Sequence, residues 1–217
     1  MDTHELTDLR LEYSHAGLSV ADLAADPIEQ FRTWFAAWHE VAVGDPNAVV
    51  VATATPDGRP SVRTVLLRRV DDAGFTFFTN YTSRKGRELA ANPHATLLFS
   101  WHPVGRQVVV EGVASRLDPA ASDAYWATRP RESQVAALAS PQSAVVPDRA
   151  ELERRWSEIE AAHAGRPVPR PEHWGGFRVA PERVEFWQGR EWRLHDRLAY
   201  RRDPSTASGW LVERLAP

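Results

Sequence analysis

The hydrophobic period of the chain changes at Ala48, and the lengths of the connections that follow restrict the fold more than any single motif does. AVVVATAT, SVRTVLLRRV, GFTFFTN, HATLLFSW and RQVVVEGVASRL carry the alternation or the β-branched and aromatic content of strands. Three of their four connections, PDGRP, DDAG and HPVG, are turn-sized. Parallel strands need a crossover of about a dozen residues or more, so these neighbours are predicted to pair antiparallel. The fourth connection contains SRKGRELAANP, which reads as a short helix from near Ser83 to before Pro93.

Helical signals flank this meander. Residues 5–16 place Leu6, Leu9 and Tyr13 on one side of a short helix. Asp26-Pro27 is a cap followed by a first-turn proline, with Ile28, Phe31, Phe35 and Trp38 at helical spacing behind it. Asp118-Pro119 repeats the device ahead of Tyr125 and Trp126. Residues 148–165 read as a surface helix ending at Gly165, and RPVPRPEH as an extended connector. Strand character returns in WGGFRVAPERVEFWQ and RLHDRLAYRR. The expected class is mainly β with flanking helices (α+β), without the alternating units, GxGxxG or P-loop of a Rossmann sheet.

Composition narrows the function classes. The chain has no cysteine, so disulfides, thiolate metal sites and thiol nucleophiles are excluded. Its formal charge of -3 and lack of a basic tract disfavour nucleic-acid binding. The N-terminus has no apolar signal region and no segment is long and apolar enough for a membrane helix, so a cytoplasmic location is expected. Lysine occurs once, at Lys85 beside Arg84, in a chain otherwise built with arginine.

Basic residues gather at three places besides EFWQGREWRLHDR, residues 185–197. Read as a strand, that last segment puts Arg193, His195 and Arg197 on one side, where they repel unless an anion sits among them. RTVLLR places Arg63 with Val65 and Leu67, and Arg68 on the other face. TNYTSRKG leads a turn into a helix N-terminus, where N–H groups, Thr79 or Ser83, Arg84 and Lys85 suit a phosphate. Tyr125, Arg129 and Ser133 recur every four residues and can share a face. Ordinary solvated surfaces account for residues 185–197 and for the Tyr125, Arg129 and Ser133 set about equally well when each is taken alone. Together they suggest two phosphorylated ligands side by side.

In their order, RTVLLR, FFTNYTSRKG, RQVVVEG, RPRESQVAALASPQS, WGGF and EFWQGREWRLHDR resemble the pyridoxamine 5′-phosphate oxidase family from about Leu9 to the final ERLAP. The resemblance implies an FMN-binding split β-barrel of antiparallel Greek-key type. It implies one domain over 1–217, with an arm or lid at 1–25 and barrel-completing strands at 166–217. It implies a homodimer with FMN at the subunit interface. By position, FMN would be bound by Arg63, Thr64, Val65, Leu66, Leu67, Arg68, Phe78, Thr79, Arg84, Lys85, Gln107, Gln142, Ser143, Trp187 and Arg197. Substrate would meet Arg10, Tyr13, Arg68, Tyr125, Arg129, Ser133, Arg193, Leu194 and His195, with Arg193 and His195 catalytic.

The implied reaction is oxidation of pyridoxamine or pyridoxine 5′-phosphate by oxygen to pyridoxal 5′-phosphate and hydrogen peroxide, with hydride passing from C4′ to flavin N5. Nothing implies a metal. Where the family usually has lysine, this chain has Arg68; Phe78 replaces a common tyrosine, and Ala136 and Leu138 stand where glycine and tryptophan are frequent. Two other readings share most of these residues: a flavin oxidase of the phenazine type, and a non-catalytic FMN- or pyridoxal-phosphate-binding protein.

Overall fold

The structure is a computed structural model that describes residues 17–217. The predicted helix over 5–16, with Arg10 and Tyr13, lies outside the described residues. The strands are β1 (Ala48–Ala54), β2 (Pro60–Asp71), β3 (Gly74–Asn80), β4 (His94–Trp101), β5 (Arg106–Arg116), β6 (Trp174–Gln188), β7 (Asp196–Arg202) and β8 (Trp210–Arg214). The helices are α1 (Pro27–His39), α2 (Arg84–Ala91), α3 (Pro119–Ala127), α4 (Arg131–Ala139) and α5 (Arg149–Ala162).

Hydrogen bonding orders the sheet β3-β2-β1-β4-β5-β6-β7-β8, and β3 also pairs with β6. The first six strands therefore close an antiparallel barrel; the connection lengths predict the antiparallel pairing, and the family resemblance implies the barrel. After three hairpin-linked strands, β4 returns beside β1, which is the Greek-key step. The turns follow the sequence: Gly58 and Gly74 take positive φ after β1 and β2, and Gly105 does so before β5.

Two compact units partition the chain. The first holds Asn47–Leu97 and Gly112–Pro181. Its core contains Val49, Val51, Phe75, Phe77, Leu97 and Val179, all at most 1% exposed. A second cluster joins Trp126, Val135, Val168 and Trp174 beside α4 and α5. The Trp126 indole donates to the Val168 carbonyl at 2.8 Å, which ties the proline-rich connector to α3. The second unit holds Leu98–Glu111, Glu182–Pro217 and the described residues up to Pro46. Aromatic contacts dominate it: Phe31 meets Phe99 edge-on at 4.7 Å, and Trp34 meets Phe186 at 5.2 Å. Asp26 caps α1 by accepting from the N–H of Ile28 at 2.7 Å, as its sequence context predicts.

Two local features depart from simple alternation. The β2–β3 register shifts between Leu67 and Arg69, so Arg68 sits at a bulge. Residues 185–197 are not one strand. β6 stops at Gln188, a short turn spans Glu191–Arg193, and β7 starts at Asp196. Trp192 and Arg193 take φ of 53° and 62° there, so the expected single cationic face of Arg193, His195 and Arg197 does not form as a strand face. Left-handed backbone at two successive non-glycine residues ends alternation whatever the residue pattern.

Gly112 on β5 faces β6 so closely that a Cβ would lie 2.1 Å from the Ala180 carbonyl oxygen. Gly112→Ala must move backbone, because neither atom is on a flexible side chain. It is expected to cost roughly 2–3 kcal/mol. In thermal denaturation followed by circular dichroism, that lowers the midpoint by roughly 5–10 °C at this chain length.

Candidate active site

The first unit contains a cavity of about 430 Å³ lined by β2, β3, the start of α2, the α3–α4 region and Trp174. Thr64, Leu66 and Arg68 reach it from alternate positions of β2, and Val65 also lines it. The bulge after Leu67 keeps Arg68 outside the regular pairing of β2 with β3. Arg68 makes no hydrogen bond or ion pair among the described residues.

On the α3–α4 side, Arg129 follows the end of α3 and Ser133 lies in the first turn of α4. Arg129 donates through Nη2 to the Ser133 carbonyl at 2.9 Å and lies over the Trp174 ring at 4.6 Å. Its Nε is buried with no partner. Burial lowers its pKa, the like charge of Arg68 lowers it further, and Tyr125 opposes this. The hydroxyls of Tyr125 and Ser133 carry no hydrogen bond among the described residues. Tyr125 stacks on Phe78 at 3.9 Å, and Phe78 on Trp174 at 5.5 Å, so an aromatic wall adjoins the two guanidinium groups. Two neighbouring cations, two open hydroxyls and an orphaned N–H suit a phosphate dianion.

The second cationic group begins where β3 turns into α2. Ser83 caps that helix by accepting from the Gly86 N–H at 3.3 Å. A Cβ on Gly86 would lie 2.3 Å from the Tyr81 carbonyl oxygen, so glycine lets the turn fold over the first helical residues. Residues 142–143 dock on this end. Ser143, at φ 73°, accepts from the Arg84 N–H at 3.1 Å, and Gln142 accepts from Lys85 Nζ at 3.1 Å. Lys85 Nζ also donates to Thr79 at 3.0 Å, which leaves one of its three N–H groups for a ligand. Burial, with the charge of Arg63 added, lowers the Lys85 pKa to about 8.

Arg63 and Arg84 flank this group without lining the cavity. Arg63 donates to the Val51 carbonyl and to Thr53, Ser61 and Glu88. Arg84 donates through Nε to Glu88 at 2.8 Å, and its two terminal nitrogens carry no hydrogen bond among the described residues. Leu67 is buried on β2.

The other expected site residues belong to the second unit. Gln107 is half-buried on β5. Trp187, on β6, packs against His195 with ring centroids 4.8 Å apart. His195 Nδ1 accepts from the Arg190 N–H at 3.0 Å, which assigns the proton of the neutral ring to Nε2. Arg197 is held by Glu185 at 2.7 and 3.1 Å and by the Ala216 carbonyl at 3.0 Å. Arg193 and Leu194 are exposed.

The cavity thus brings together Thr64, Val65, Leu66, Arg68, Phe78, Thr79, Lys85, Tyr125, Arg129, Ser133 and Gln142. It adds Asn80, Ala136, Ala137, Ser140 and Trp174 to those expected from sequence. Trp174 had a signal in WGGF, since a tryptophan before two glycines marks a large ring beside a close backbone approach. Among the described residues no group of acidic residues and histidines could hold a metal, and no helix is long and apolar enough to cross a membrane.

Comparison with known proteins gives the following. Residues 36–163 match the family model described as pyridoxamine 5′-phosphate oxidase. Residues 174–217 match that of the pyridoxine 5′-phosphate oxidase C-terminal dimerisation region. The pyridoxine/pyridoxamine 5′-phosphate oxidase of Rubrobacter xylanophilus is 56% identical over 98% of this chain and 97% of its own length. Pyridoxine/pyridoxamine 5′-phosphate oxidase 1 of Ralstonia nicotianae is 53% identical over 98% and 99%. Among solved structures, PhzG from Burkholderia lata 383, in complex with tetrahydrophenazine-1-carboxylic acid, is 34% identical. It superposes with a TM-score of 0.87 over 95% of this chain and 100% of that one. A pyridoxamine 5′-phosphate oxidase-related, FMN-binding protein from Nostoc punctiforme is 16% identical, with a TM-score of 0.68 over 90% and 100%, and shares the fold.

The uncompensated Arg68 and Arg129 give an expected outcome with inorganic phosphate alone. A ligand at about ten times its dissociation constant adds about 1.4 kcal/mol, or roughly 3–6 °C in melting midpoint. Phosphate is expected to raise the wild-type midpoint by that order above chloride of equal ionic strength. The Arg68→Ala/Arg129→Ala variant is expected to lose the difference in a thermal-shift titration.

Proposed function

The chain belongs to the pyridoxamine 5′-phosphate oxidase family, and from that premise we propose that it oxidises pyridoxamine or pyridoxine 5′-phosphate to pyridoxal 5′-phosphate. FMN is the cofactor. Bound FMN supplies a hydride acceptor for the C4′ carbon, and oxygen is the final acceptor with hydrogen peroxide as by-product. The observation that carries this reading is the convergence of Arg68, Arg129, Tyr125 and Ser133 on one cavity, with Arg129 Nε buried and unpartnered.

In this reading Arg68 and Arg129 hold the substrate phosphate, and Tyr125 and Ser133 donate to its remaining oxygens. Lys85, Thr79, Gln142 and Ser143 hold the flavin, with Arg84 directing its terminal nitrogens at the flavin phosphate. The unfilled N–H of Lys85 and the open Arg84 nitrogens fit an anionic cofactor. Arg193 covers the substrate ring. His195, donating through Nε2, orients a polar ring substituent. By the family resemblance, Gln107, Trp187 and Arg197 are further flavin contacts. The chain works in the cytoplasm as a homodimer with FMN at the subunit interface; the match to the dimerisation region supports the dimer.

The similarity to PhzG raises a second reading, oxidation of a phenazine-type carboxylic acid. A carboxylate carries one charge. Two guanidinium groups with two hydroxyls suit the two charges of a phosphate monoester better.

Both readings are separated by mixing the purified protein with pyridoxamine 5′-phosphate under air and measuring peroxide. The proposal expects peroxide in proportion to aldehyde formed; none with either B6 phosphate would overturn it. One charge-assisted hydrogen bond is worth about 1.5–3 kcal/mol. Arg129→Ala is therefore expected to lower kcat/KM roughly ten- to 150-fold while bound FMN per chain, read from visible absorption, is unchanged.

Lys85 adds a pH dependence. Its folded pKa of about 8 lies below the ordinary lysine value, so the free site loses a cation as pH rises through about 8. An anion binds the protonated form, and binding above that pH requires proton uptake. The FMN dissociation constant is expected to rise above pH 8 by up to about tenfold per pH unit. Fluorescence titrations across pH 7–10 should show the slope in wild type and a flat profile in Lys85→Gln.

A further inference from the structure

A buried carboxylate lies next to the cations assigned to the flavin phosphate, in a position that an anion-binding site would ordinarily exclude. Glu88, 5% exposed on α2, accepts from four donors on three elements. Thr53 of β1 donates to its Oε2, as do Ser61 at 2.6 Å and Arg63 Nη2 at 3.4 Å, both of β2. Arg84 Nε of α2 donates to its Oε1 at 2.8 Å. Burial pushes its pKa up, but the hydrogen bonds from Ser61, Thr53 and Arg84, with the charge of Arg84, outweigh that and hold it at about 2. It is therefore ionised throughout the working pH range.

The cations around it are mutually close. The charge of Arg84 disfavours that of Arg63, and the charge of Arg63 disfavours that of Lys85. Without Glu88, Arg63 and Arg84 would lose the carboxylate they share, and their guanidinium groups would need re-ordering when an anion arrives. With Glu88, Arg84 is gripped by Nε alone and its two terminal nitrogens stay open. Arg63 is fixed by its Thr53, Ser61 and Val51 contacts close to Lys85.

We propose that Glu88 is a positioning residue for the flavin phosphate: it touches no ligand, and it fixes the guanidinium groups of Arg63 and Arg84 beside Lys85 so that the phosphate meets an already ordered set of donors. This rests on the reading of the Lys85 region as the FMN site. Coulomb's law alone gives the opposite sign, because removing a carboxylate leaves the region more positive and should tighten anion binding. The two accounts are therefore separable in direction.

The test is titration of flavin-stripped full-length protein with FMN and with riboflavin, which lacks the phosphate, followed by flavin fluorescence. Glu88→Gln keeps the side-chain shape and can still pair with Thr53, Ser61 and the Arg84 Nε. Glu88→Ala removes every contact. The expected result for Glu88→Gln is roughly 10- to 100-fold weaker FMN binding, by analogy with the outer partners of metal-binding side chains. Riboflavin affinity and the melting midpoint of the flavin-free protein should be little changed, and Glu88→Ala should lose more FMN affinity than Glu88→Gln. Unchanged or tighter FMN binding in Glu88→Gln overturns the proposal. So does an equal loss for FMN and riboflavin, which would mark a purely structural role. Failure of the wild type to bind FMN would instead overturn the functional reading itself.

Discussion

Like charges brought into one partly enclosed space repel unless something compensates them, and this protein answers that constraint in two different ways. On the α2 side, Arg63 and Arg84 share an internal counter-charge, Glu88, beside Lys85. On the α3–α4 side, Arg68 and Arg129 share a cavity without an acidic partner, and Arg129 leaves a buried N–H unanswered. The first arrangement is partly compensated within the polypeptide, with the Arg84 terminal nitrogens and one Lys85 N–H left open. The second has no counter-charge among the described residues until an anion enters.

The second unit follows the first of these patterns. Glu185, 5% exposed, holds Arg197 by two hydrogen bonds and Arg183 by a third, and Arg183 also reaches Glu111 at 2.6 Å. Asp196 accepts from the Leu18 N–H at 2.9 Å and from Arg214 at 2.6 Å. These carboxylates anchor the two ends of β7's first residues, while the preceding turn carries Arg193 outward in left-handed backbone. A turn with two strained residues is stable only when its flanks are fixed, so the acidic anchors and the exposed arginine belong to one device.

Much of this was legible from the sequence because its causes are local. Turn lengths gave the antiparallel pairing of neighbouring strands, and Asp-Pro pairs at 26–27 and 118–119 gave helix starts where α1 and α3 begin. The helix start near Ser83 and the four-residue spacing of Tyr125, Arg129 and Ser133 were equally visible, while the Ser83 hydroxyl, expected for a ligand, is used as the helix cap. The failures have non-local causes. A bulge at Arg68 depends on what β3 offers across the sheet, and the residue pattern of β2 alone does not encode it. The break at 189–195 depends on backbone that no binary pattern announces. Glu88 carried a signal that went unused: it stands four residues after Arg84, the spacing of a helical ion pair, which reassigns part of that arginine from ligand to protein.

The arginine bias of the chain has a consequence for how the two halves of the cavity respond to their surroundings. Guanidinium groups stay protonated at any physiological pH, so Arg68 and Arg129 present a fixed positive field to a phosphate. Replacing the family's usual lysine by Arg68 extends that constancy, and adds a planar fork able to meet two phosphate oxygens at once. Lys85 is the one basic residue of the cavity that can titrate near neutrality, and burial together with Arg63 brings it there. Any sensitivity of these basic side chains to alkaline pH is thereby concentrated on the side that Glu88 organises. The side that would admit and release substrate keeps its charge, and its affinity is then governed by the protonation of the incoming phosphate.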